Sequence, residues 1–73
     1  MDEYGVILTF STGHAIRTEN VLAKAGIETK LIPVPRHLSS DCGSAVRIKQ
    51  RDRQKALGIL AQNAVSIDRY EPL

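Results

Sequence analysis

The chain has 73 residues and a net charge of +2, enough for a single domain with a thin core. A chain this short cannot enclose a large substrate cavity, so a shallow surface site, or one completed by a partner, is expected. Composition is that of a globular protein, 42% hydrophobic and 25% charged. No apolar run approaches the ~18 residues of a membrane span, and basic residues this dispersed give no argument for nucleic acid.

The N-terminus, Met1-Asp2-Glu3-Tyr4, is acidic and runs straight into a strand-like segment, unlike a signal peptide. The one cysteine, Cys42, cannot form an internal disulfide, which fits a reducing, cytoplasmic setting. Val6-Ile7-Leu8, flanked by Tyr4 and Phe10, is apolar on both faces and predicts a central strand. Ser11-Thr12-Gly13 offers capping groups for a helix over His14–Ala25, and Gly26 closes it.

Glu28–Val34 reads as a second strand, placed at a sheet edge because Pro33 cannot donate to a ladder. Pro35–Gly43 is a loop. Ala45–Lys49 alternates, with Val46 and Ile48 on one face and Arg47 and Lys49 on the open one. Asp52 is the expected cap of a helix running to Gln62, with Ala56, Leu57, Leu60, Ala61 and Ala64 as its apolar stripe and Asn63 as its C-cap. Val65–Tyr70 is the expected last strand.

The order strand, helix, strand, strand, helix, strand predicts one α+β domain over residues 1–73, the ferredoxin-like split βαβ arrangement (βαββαβ) with two helices on one face of an antiparallel sheet. Right-handed crossovers put the first strand in the middle and the second at an edge. This topology brings Ser11–His14 and the loop Pro35–Gly43 to one rim of the sheet.

Cys42 then lies near the start of the first helix, where partial positive charge favours a thiolate. Arg36 and His37 add positive charge, and Asp41 opposes it. The neighbours Ser39, Ser40 and Gly43 are small or polar, which suits a reactive cysteine better than a core one. Glu19 falls on the sheet-facing side of the first helix and leans toward the same rim. Either it organises the Cys42 loop, through loop backbone or Arg36, or the helix is rotated enough for it to reach solvent. Ser11, Thr12 and His14 complete the candidate site.

Metal is not assigned, because Cys42, His37 and His14 form no C-x-x-C or H-x-x-x-H pair. Metallochaperones of this topology carry C-x-x-C after the first strand, where this chain has Ser11-Thr12-Gly13-His14. RNA binding on the open face is disfavoured, since only 4% of residues are aromatic and the third strand has none.

Val34-Pro35-Arg36 followed by Ser39-Ser40-Asp41-Cys42-Gly43 resembles the V-P-R…S-S-x-C-G signature of the selenium/sulfur carrier protein-like family. Phe10-Ser11-Thr12-Gly13-His14-Ala15, with Glu19 and Gly26-Ile27, is similar to that family's first helix; Asp41 and Gly13 fall at variable positions. The resemblance implies a carrier rather than a turnover enzyme, with Cys42 holding sulfur or selenium as a persulfide-type adduct. Arg36, Ser39 and Ser40 would shape the loop. It implies a donor protein and an acceptor protein as partners, and no cofactor. The alternatives are a non-catalytic interaction module, dimeric through the open sheet face or an edge strand, and a metal-binding protein using Cys42 and His37.

Overall fold

The computed structural model describes residues 3–38 and 43–73. The elements are β1 (Tyr4–Leu8), α1 (Thr12–Lys24), β2 (Lys30–Pro33), β3 (Ser44–Lys49), a 3-10 turn (Gln50–Asp52), α2 (Arg53–Gln62) and β4 (Arg69–Pro72). The strands form one antiparallel sheet in the order β2-β3-β1-β4. This is the βαββαβ arrangement expected from the sequence, with β1 inside and the proline-containing β2 at an edge.

Burial explains the placement of β1. Val6, Ile7 and Leu8 are all fully buried, which only a central strand covered on both faces provides. Ile7 joins Ala15, Leu22, Ile27, Val46, Ile48, Ala56, Leu60 and Val65 in the core between sheet and helices. Val6 and Leu8 point the other way and cluster with Ala45, against which Ile32, Val34 and Leu38 pack. The outer face is therefore not fully open: the start of the loop after β2 folds back over its rim half. Burying these side chains, at about 25 cal/mol per Å² of apolar surface, is what holds the loop down.

Both helices end in the same motif. After α1, the Ile27 N–H reaches Leu22 O and the Gly26 N–H reaches Ala23 O, each at 3.0 Å, with Gly26 in the left-handed region at φ 83°. After α2, the Val65 N–H reaches Leu60 O at 2.9 Å and the Ala64 N–H reaches Ala61 O at 3.2 Å. Here the left-handed position is held by Ala64, at φ 54°. These are Schellman closures, and each delivers an apolar residue, Ile27 or Val65, into the core.

Three expectations are corrected. The second strand is shorter than Glu28–Val34, and Val34 instead seats the loop on the outer face. The last strand is Arg69–Pro72 rather than Val65–Tyr70, because Val65 is committed to closing α2. Asp52 precedes α2 as expected but makes no side-chain capping bond; it ends a 3-10 turn that takes the Arg53 N–H onto Gln50 O. Asn63 is the C-cap, as read from the sequence.

Tyr70 lies on the helix side of the sheet, cross-strand from Ile7. Its ring extends over Gly5, where a Cβ would sit 2.7 Å from ring carbon Cε2 and nearer still to the hydroxyl. Glycine is required there because of this close approach. The Arg53 guanidinium lies 4.9 Å from the Tyr70 ring centroid, tying the start of α2 to β4.

Candidate functional site

Register brings the separated segments of the candidate site together. Leu8 pairs with Ala45, so the exit of β1 toward α1 lies beside the entry to β3. On the other side of β3, Pro33 pairs with Ser44, and the Val34 N–H donates to Gly43 O at 3.2 Å. The loop after β2 thus leaves and re-enters at the sheet end where α1 begins.

The turn from β1 into α1 is fixed by hydroxyl groups. Buried Thr9 donates from Oγ1 to Ser11 O at 2.9 Å. Ser11 is the N-cap of α1, and its Oγ accepts the His14 backbone N–H at 3.1 Å. The same hydroxyl is hydrogen-bonded to His14 Nδ1, 2.8 Å away. The exposed Phe10 ring meets the His14 ring edge-on, with centroids 6.4 Å apart. Thr12 opens the helix, so Ser11, Thr12 and His14 all belong to its first turn.

In the loop, Arg36 and His37 are exposed and Leu38 is half-buried. The Leu38 N–H closes a turn onto Pro35 O at 3.0 Å, and Leu38 packs against the Val6, Leu8 and Ala45 cluster. The start of the loop thus carries exposed Arg36 and His37 and is anchored by apolar contacts on the outer face, while α1 begins from the same end of the sheet and packs on the opposite face. Ser39, Ser40, Asp41 and Cys42 lie outside the described residues; Gly43, which follows them, is exposed.

Glu19 is half-buried, and the sheet-facing turn of α1 is instead lined by Ala15, Thr18 and Leu22. Thr18 tolerates that position because its hydroxyl donates to His14 O at 2.8 Å. The helix is thus rotated to put a self-satisfied threonine, not a carboxylate, against the sheet. Sequence reasoning missed Thr9 and Thr18. The available signal was a hydroxyl residue at helical spacing from Ala15 and Leu22, which solves locally the desolvation problem that Glu19 would pose.

Among the described residues no three His, Cys, Asp or Glu side chains are grouped to hold a metal ion. Among the same residues, no helix is long and apolar enough to cross a membrane. No curated protein and no solved structure matches the chain. A family model does match, over residues 4–71, spanning both strand pairs, both helices and the cysteine loop. The chain belongs to the family described as "Putative Se/S carrier protein-like".

Proposed function

We propose that the protein carries one sulfur or selenium atom on Cys42 as a persulfide-type adduct. The observation that carries this reading is the family match over residues 4–71, a span that contains the only cysteine in the chain. The Cys42 thiolate attacks the terminal sulfur of a donor persulfide, R–S–SH. A new S–S bond forms at Cys42 while the donor S–S bond breaks, and the donor departs as a thiolate with the bonding electron pair. Cys42 is left as –S–SH, and an acceptor thiolate takes the terminal sulfur in the same way, regenerating the Cys42 thiolate. Selenium follows the same course as –S–SeH. No second cysteine is needed, because there is no net oxidation.

The rim supports this chemistry. The first turn of α1 begins at the sheet end where the loop leaves and re-enters, and exposed Arg36 lies in that loop, so positive potential at this end would favour a thiolate. Asp41, adjacent in the chain, works against it, so Asp41→Asn is expected to speed loading. The partners are then a donor protein bearing a persulfide (R–S–SH) or a selenopersulfide (R–S–SeH) and an acceptor protein, in a reducing cytoplasm.

The test is intact-mass spectrometry after incubation with a cysteine desulfurase and L-cysteine, or with a donor loaded as the selenopersulfide R–S–SeH. A mass increase of one sulfur or selenium atom is expected, mapped to Cys42 and absent from Cys42→Ser. An unmodified Cys42 after exposure to several donors would overturn the reading.

A further inference from the structure

The outer sheet face carries a second feature, at the opposite end from the loop. Register sets Lys30, Arg47, Val6 and Glu71 in one row across this face, with Lys49 and Tyr4 in the next row outward. Lys30 and Arg47 are directly opposed on neighbouring strands, a like-charge pair that opposes sheet formation. Other cations nearby have carboxylates: Lys49 lies 3.8 Å from Glu28, and Arg69 bonds both Asp68 and Glu71. Lys30 and Arg47 have none within ion-pair distance among the described residues. Arg47 instead lies over the Tyr4 ring, with Cζ 4.3 Å from the ring centroid.

The low aromatic content of the chain and its absence from β3 argued against nucleic acid on this face, but one of the few aromatic residues, Tyr4, arrives on the face from β1. Loop residues Val34 and Leu38 cover the rim half of the face, whereas this end carries uncompensated cations and the Arg47–Tyr4 cation–π contact. Phosphates need the uncompensated cations, and unstacked bases need a planar surface. An acidic protein surface would need only the charge.

We propose that this end of the outer face binds single-stranded nucleic acid, with Lys30 and Arg47 on phosphates and the Tyr4–Arg47 stack under a base. The site lies at the other end of the sheet from the Pro33–Ser44 pairing and does not depend on the carrier reading. The test is an amide NMR titration of the full chain with hexauridylate and, in parallel, hexathymidylate. Shifts are expected to centre on Tyr4, Lys30, Arg47 and Lys49, with log affinity falling against log salt with a slope of about −1.4 for two phosphate contacts on a single strand.

Lys30→Ala is expected to reduce that slope by about half. Tyr4→Leu is expected to weaken binding about tenfold, and Arg47→Lys to keep the slope while losing affinity, each variant first shown to melt like the parent. Binding of hexauridylate alone identifies RNA, and equal binding of both oligomers supports recognition of any single strand. Absence of shifts at these amides at millimolar oligomer overturns the proposal. So does a polyglutamate peptide binding the same residues as tightly and indifferently to Tyr4→Leu, which would make the face a dock for acidic protein.

Discussion

The paired helix closures allow one exchange experiment. Gly26 and Ala64 hold equivalent left-handed positions, at φ 83° and 54°, and both are exposed. A Cβ on Gly26 meets nothing within 4 Å, so neither substitution changes packing. A left-handed conformation costs an L-residue roughly 1–2 kcal/mol. Against this, replacing glycine by alanine stabilises by about 0.4–1 kcal/mol through the unfolded chain. The balance predicts that Gly26→Ala destabilises by about 0.5–1 kcal/mol and Ala64→Gly stabilises by about the same amount. The double variant should return close to the parent, since the closures lie on different helices. Urea unfolding at equal m-value reads these differences, and thermal melts should shift by about 4–8 °C per kcal/mol. If both single variants moved stability in the same direction, backbone conformation would not be what distinguishes the two helix ends.

Four further outcomes follow from the packing. Gly5→Ala forces the Tyr70 ring off the sheet and off Arg53, and is expected to cost about 2–3 kcal/mol; a cycle with Tyr70→Leu should recover part of that loss, and additivity would refute the contact. Ser11→Ala removes the cap of α1 and is expected to cost about 1 kcal/mol, with Ser11→Asp retaining most of it in chemical denaturation. Leu38→Ala loosens the loop from the Val6, Leu8 and Ala45 cluster, costing about 1–2 kcal/mol, and should change the alkylation rate of Cys42 as well as the melt. Burial pushes the Tyr70 phenol above its ordinary value of 10.0, only partly offset by Arg53. The folded state thus holds that proton more tightly than the unfolded chain, so this contribution is intact below pH 10 and is lost as pH rises through the raised folded value. Tyr70→Phe should flatten that alkaline loss. It should cost little at neutral pH, because the buried hydroxyl has no hydrogen-bond partner among the described residues.

What could be read in advance was local. The unbroken Val6-Ile7-Leu8 run, the proline in β2, the Val46/Ile48 alternation and Gly26 each announce their role through their own chemistry, and together they determine the strand order. What escaped depends on partners distant in the chain. Nothing near Tyr70 says that its ring will occupy the space over Gly5, and nothing near Val65 says that helix closure will claim it before a strand can. Glu19 was misplaced because residue spacing alone does not reveal that Thr18 can satisfy its own hydroxyl and take the buried turn. The rim was legible for a topological reason: once β1 and β2 are parallel with β3 between them, the start of α1 and the loop after β2 must share an end. The covering of the outer face by Val34 and Leu38 was not, since apolar residues in a loop indicate burial without indicating against which surface.

Both outermost strands are four residues long and end in a proline, Pro33 in β2 and Pro72 in β4. A neighbouring chain seeking to extend the sheet therefore meets, on either side, a short template lacking one of its amide donors. Self-association by strand addition is disfavoured on both flanks at once. On both flanks, side chains rather than an open backbone ladder then decide what a neighbouring molecule can grip.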